Sequence, residues 1–151
     1  YTMDKRGEVW FLLQMVLCAV IFFAPQQTCA ACPPWLKWIG LAILAAGGLL
    51  GTWGMLALGR NLTPFPKPIE GGELVTHGPY RFVRHPIYAG LIFGTLGWAL
   101  FRASLVGLAL VVLLFIFFDL KSRREEQWLR EAYPGYANYQ GRVKKLIPWV
   151  Y

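Results

Sequence analysis

Apolar and polar positions along this chain are segregated into blocks rather than interleaved. Val9 to Ala24 is interrupted only by Gln14, and Trp35 to Leu58 carries a single charge, Lys37, near its start. Ile87 to Phe101 and Ser104 to Phe118 carry none. A helix that crosses a bilayer needs about 20 apolar residues, within a range near 17–25, and the second block meets that outright. The others fall slightly short, with Trp10, Tyr88 and Trp98 near their ends, where interfacial aromatics belong. The alternative, a soluble all-α protein with buried core helices, needs polar faces that four such blocks do not leave room for. The pattern predicts an all-α integral membrane helical bundle with about four transmembrane helices.

The blocks are joined unequally. Residues 1–151 read as a single domain, with a two-span hairpin over 1–59. Residues 60–151 then hold a polar insert, a tight helical hairpin and a polar tail. In the insert, Pro64, Pro66 and Pro68 alternate, which suits an extended polyproline-like path, and Gly71-Gly72 permits a sharp turn. The third helix is expected to start at Pro86, because proline is favoured at the first helical position, with His85 at the cap. The fourth helix meets no breaker until Pro134 and is expected to run on past the membrane by roughly 20 Å, at about 1.5 Å per residue. Gly47 and Gly51, and again Gly90 and Gly94, have the spacing that lets helices approach closely in lipid. Ordinary membrane-helix composition explains each pair equally well.

Composition sharpens the membrane reading. Of the residues 56% are hydrophobic and 15% are charged, where soluble domains carry about 25% charged residues. With four spans both ends lie on one side. That side holds thirteen of the fifteen basic residues, all except Lys37 and Arg102, and all eight acidic ones. The bias predicts an integral membrane protein with both termini cytosolic; in a bacterium that membrane would be the inner one. The net charge of +7 is then topological, and no nucleic-acid partner is expected. The first block follows Lys5 and Arg6 but lacks a strong cleavage site, so a retained span is expected rather than a signal peptide. Cys18 reads as inert packing. Cys29 and Cys32 form CAAC in the outer loop, where a disulfide or two free thiols explains them without a function.

Polar chemistry gathers at the mouths of the last two helices. One cluster is Tyr80, Arg84 and His85-Pro86-Ile87-Tyr88. The other is Lys121, Glu125, Tyr136, Tyr139 and Arg142. Lys121 and Glu125 are four apart and share a helical face. A snorkelling interfacial belt explains scattered cations, but it explains a histidine at a helix cap and the Glu125-Glu126 pair less well. Two histidines without a carboxylate cluster argue against a catalytic metal. A dinucleotide fingerprint, a P-loop and a serine nucleophile elbow are all missing from the sequence.

The stretch LVTHGPYRFVRHPIYAG, the two apolar blocks after it, REEQWLREAYPGYANYQGRV and the terminal LIP together resemble the isoprenylcysteine carboxyl methyltransferases and phospholipid methyltransferases. The resemblance covers about residues 60–148. It implies methyl transfer from S-adenosylmethionine, held in a cytosolic pocket closed by the ends of the last helices, to a lipophilic or small membrane-permeant acceptor, with membrane lipid as surroundings. Position by position it implies that Gly72, Glu73, Leu74 and Val75 line the cofactor pocket. Tyr80, His85, Pro86, Ile87, Tyr88 and Glu125 would also bind the cofactor. Lys121 falls where the eukaryotic carboxyl methyltransferases hold the acceptor carboxylate with arginine, and lysine offers a point charge in place of a planar fork. An NADPH-dependent sterol-reductase-like enzyme and a non-catalytic membrane scaffold are the alternatives.

Overall fold

The computed structural model describes residues 7–26, 32–63, 65 and 67–151. Cys29, Pro64, Pro66 and the basic pair Lys5 and Arg6 lie outside them. Among the described residues the regular structure is five α-helices, α1 (Glu8–Phe22), α2 (Trp35–Leu58), α3 (Pro86–Phe101), α4 (Leu105–Ala132) and α5 (Tyr136–Arg142), with short 3-10 turns at Gly59–Asn61 and Gly78–Arg81. Among the described residues there are no strands, only one isolated parallel bridge between Val83 and Lys144.

Local chemistry sets the ends. α2 begins after Pro33-Pro34 and stops at Gly59, whose φ of 51° suits glycine. α3 starts at Pro86 with His85 as its cap residue, as the sequence predicts. The Ser104 hydroxyl accepts from the Gly107 N–H to cap α4, and donates to the Pro25 carbonyl, tying the end of α1 to the α3–α4 turn. α4 is a single 28-residue helix that ends two residues before Pro134.

α2 settles the choice between membrane span and buried core helix. Its only buried residues are Gly40, Gly47 and Gly54, while Leu49 is 73% and Leu56 is 75% exposed. A soluble core helix turns its large apolar side chains inward; this one turns glycine inward and leucine outward, as a lipid-facing helix does. Trp35–Asn61 and Leu105–Ala132 are long and apolar enough to cross a membrane. α1 and α3, at 15 and 16 residues, are apolar but shorter than a span of about 20.

The glycine seam sets the packing. A Cβ on Gly47 would meet the Gly94 nitrogen at 2.4 Å, and one on Gly90 would meet the Gly51 Cα at 2.6 Å. The two GxxxG pairs therefore face each other, and Gly40 against Gly97 extends the seam by two turns. α2 lies antiparallel along α3 with backbone nearly touching backbone. α1 follows a different course: although it precedes α2 in the chain, it packs on α4 and α3. The result leaves the insert between α2 and α3 lying over a space bounded by α1, α2 and α4.

Candidate functional site

Residues 82–85 carry the chain into α3, and the tail lies beside them. The Arg84 N–H donates to the Lys144 carbonyl at 2.8 Å and the His85 N–H to the Lys145 carbonyl at 3.1 Å. Glu126, buried on α4, locks this junction. Its Oε1 accepts from Arg84 Nε at 2.8 Å and from His85 Nε2 at 3.1 Å, and its Oε2 accepts from Gln140 Nε2 at 2.9 Å. The Arg84 guanidinium also donates to the Gln140 and Val143 carbonyls. A buried carboxylate is tolerable only when paired and hydrogen-bonded, and Glu126 has both.

Glu125, one residue earlier, faces another way. Its Oε2 accepts from the Tyr88 hydroxyl at 2.7 Å and lies 3.8 Å from His85 Nδ1. The His85 ring stacks on Tyr88, with centroids 5.4 Å apart, and Tyr88 stacks on Phe118. His85 thus sits between two carboxylates.

These groups form part of the wall of a cavity of about 360 Å³, within the size range of small-molecule sites. Glu73, Leu74, Val75, Tyr80, His85, Ile87, Tyr88, Lys121 and Glu125 all line it. Gly72 and Pro86 do not. Gly72 packs beside the Tyr133 hydroxyl and Asn61, and the Pro86 ring packs against Gly54 of α2. Tyr136 and Tyr139 are on the wall, whereas Arg142, grouped with them by sequence, is exposed and bonds the Asn138 carbonyl.

Lys121 is not a snorkelling residue. It is 1% exposed, its Nζ donates to Gln14 Oε1 of α1 at 2.6 Å, and it sits 4.8 Å from the centroid of the Tyr88 ring. No carboxylate lies within salt-bridge distance of it among the described residues. An ammonium has three donors, so Lys121 keeps N–H capacity on the cavity side.

Two residues of the site escape the sequence, and the role of a third shows only in the structure. Gln14 is one polar residue in an apolar run. Asn61 fixes the insert by exchanging two hydrogen bonds with the backbone of Glu73, at 3.1 and 3.3 Å. The Tyr136 hydroxyl is buried on the cavity wall with no hydrogen-bond partner among the described residues. Burial also pushes its phenol above the ordinary range, so it stays a donor. Native structures rarely leave such a group unsatisfied, and it marks where a polar ligand atom would be held.

A helical membrane fold enclosing a cavity that is polar at one wall and apolar at the other defines the class. Residues 35–135 match the family model described as phospholipid methyltransferase, and the chain belongs to that family. Protein-S-isoprenylcysteine O-methyltransferase B of Arabidopsis thaliana is 28% identical over 120 residues, covering 77% of this chain and 61% of that protein. The cobalt-zinc-cadmium resistance protein CzcN of Cupriavidus metallidurans is 36% identical over 80 residues, covering 52% of this chain and 37% of that protein. The solved structure of the eukaryotic intramembrane Ras methyltransferase ICMT superposes with a TM-score of 0.73 at 25% identity, covering 95% of this chain and 52% of that one. The chain spans about three-fifths of the length of the first curated relatives it matches. The resemblance read from residues 60–148 and the all-helical membrane fold are both borne out. α1, with Gln14, lies outside the family match.

Proposed function

We propose that this chain transfers a methyl group from S-adenosylmethionine to a lipophilic or small membrane-permeant acceptor, at the cytosolic end of the bundle and with both termini on that side. The observation that carries this is the cavity that joins Glu125, Tyr88 and the unpartnered Tyr136 hydroxyl to an apolar wall of Leu74, Val75 and Leu129.

The residues fit such a donor. Glu125 offers a carboxylate to an ammonium. Tyr136 offers a hydroxyl donor. The first N–H groups of α3, free of intrahelical partners by position, favour an anion. Leu74, Val75 and Tyr80 form a slot for a flat heterocycle. When bound, S-adenosylmethionine supplies an electrophilic methyl on a sulfonium. The chain's own work is alignment and exclusion of water, and alignment alone contributes on the order of 7–11 kcal/mol to such displacements. Glu126 holds Arg84 and His85 so that α3 starts in register with α4. Lys121, supported by Gln14, aims its spare N–H groups at an acceptor bearing an anionic oxygen. Phe11 of α1, with Met55 and Leu58 of α2, lines the same cavity from the lipid side, which suits an apolar acceptor body.

Calorimetry on detergent-purified protein with S-adenosylhomocysteine and, separately, NADPH tests this reading. Saturable binding of the first and none of the second is the expected result. Binding of NADPH alone would move the chain to the reductase class, and binding of neither would leave the scaffold alternative.

A further inference from the structure

A second cavity, of about 380 Å³, lies behind the junction of α3 with the tail. Its wall is Arg84, Arg123, Lys144, Lys145, Val150 and Tyr151: four cations, one aromatic, one aliphatic and no acid. Nearby carboxylates only partly offset the charge. Asp119 takes Lys145 Nζ at 2.6 Å, Arg123 Nη2 at 2.8 Å and the Tyr151 hydroxyl at 2.7 Å on its own two oxygens, and Glu126 is committed to Arg84 and His85. The Lys144 side chain is exposed and makes no hydrogen bond or ion pair among the described residues, and Arg123 is 64% exposed beyond its bond to Asp119. The site holds two more cations than carboxylates.

Its depth is that of the membrane boundary. Asp119 is the first charge after the apolar stretch of α4 that ends at Phe118. Trp149, 81% exposed, lies beside Phe82 with ring centroids 6.3 Å apart, and Phe82 is as close to Trp53 of α2. Such aromatics sit at headgroup level. Val150, on the cavity wall, is itself exposed and offers apolar surface to acyl chains.

We propose that this basic cavity binds the phosphate of an anionic phospholipid headgroup. Charge complementarity, position at the boundary and the flanking aromatic rings select a lipid over a soluble anion, and basic pockets of this kind at helix ends hold such headgroups. Arg84 lines both cavities, so a lipid here would brace the segment that carries His85. The inference does not depend on the methyl-transfer reading.

The test uses the full chain in phosphatidylcholine nanodiscs with and without phosphatidylglycerol, with retained lipid counted by native mass spectrometry. The parent should retain phosphatidylglycerol selectively. The double variant Arg123→Gln with Lys144→Gln should lose that preference on the order of thirtyfold, from two near-surface charges. The double variant Arg130→Gln with Arg142→Gln removes equal charge at the same end outside the cavity and should stay near the parent. Circular dichroism checks that both keep their helices. Equal losses in the two doubles would mean diffuse surface attraction and would overturn the site, as would an unchanged first double. If inorganic phosphate displaces the retained phosphatidylglycerol at comparable concentration, the occupant is a free anion and the lipid assignment falls.

Discussion

Tyr88 and Glu125 meet through a 2.7 Å hydrogen bond across 37 residues of sequence. The neighbouring Glu126 makes none of its bonds to Tyr88; it holds Arg84, His85 and Gln140. Successive residues on a helix point about 100° apart, so the pair divides its work: Glu125 to the cavity, Glu126 to the frame.

That division predicts opposite phenotypes. Glu125→Gln keeps a partner for Tyr88 but removes the charge. It should weaken S-adenosylhomocysteine binding about ten- to hundredfold, the worth of a charge-assisted hydrogen bond of roughly 1.5–3 kcal/mol, with melting unchanged. Glu126→Ala strands Arg84 and should destabilise the protein by about 3–5 kcal/mol. Paired calorimetry and thermal melts decide, and exchanged phenotypes would refute the assignment.

Tyr136→Phe removes only the unpartnered hydroxyl. Without ligand the variant should be as stable as the parent or slightly more so, since an unsatisfied buried donor is unfavourable. Donor-analogue affinity should fall roughly two- to tenfold. Because burial raises the phenol above its ordinary range, binding should show no loss from its ionisation as pH rises through neutrality to about 9. Unchanged affinity in the variant would show that the hydroxyl does not meet the ligand.

What could be read from the sequence depends on how local the cause is. Pro86 and Pro134 punctuate α3 and α4 by chain chemistry, so those limits were legible. So was about half of the cavity wall, through the resemblance carried by the stretches from Glu73 to Val75 and from Tyr80 to Tyr88. Gly72 and Pro86 lie in the right segments but turn to packing, a choice made by neighbours from α2 and the insert. Gln14 was invisible because its partner is 107 residues away and α1 docks on α4, away from its neighbour in sequence. The two GxxxG pairs were legible as spacings. That they oppose each other required the antiparallel contact of α2 with α3.

The seam gives a matched pair of substitutions. In Gly47→Ala the new methyl group meets backbone of α3 at 2.4 and 2.8 Å. The helices must separate, with an expected loss of about 1–3 kcal/mol or more. In Gly48→Ala nothing lies within 4 Å, and better helix propensity should leave stability equal or higher. Unfolding in mixed micelles compares them; equal losses would mean that the seam is not the site of closest packing.

The basic end predicts the orientation. A single cysteine in place of exposed Arg142, in a background without the native cysteines, should react with a membrane-impermeant maleimide in inverted inner-membrane vesicles and stay unreactive in intact spheroplasts. The reverse pattern would place the cavity and both termini outside.

Lys121 carries the sharpest statement about the acceptor. Its ammonium is buried, is held by one neutral amide and the face of Tyr88, and has no carboxylate within ion-pair distance among the described residues. A charge kept this way is unfavourable unless something anionic joins it. Lys121→Met preserves shape and apolar contact while removing the charge. It should raise the acceptor's KM about ten- to hundredfold, leaving S-adenosylhomocysteine affinity near that of the parent. Gln14→Leu removes the support and should produce a smaller rise in the same constant. Lys121→Arg restores charge but adds bulk to a filled site, so recovery should be partial. Steady-state kinetics with acceptors that differ only in a carboxylate against its amide separates the possibilities. If Lys121→Met affects both acceptors equally, or weakens the donor analogue instead, the lysine serves the donor side or the fold, and the anionic acceptor must be abandoned.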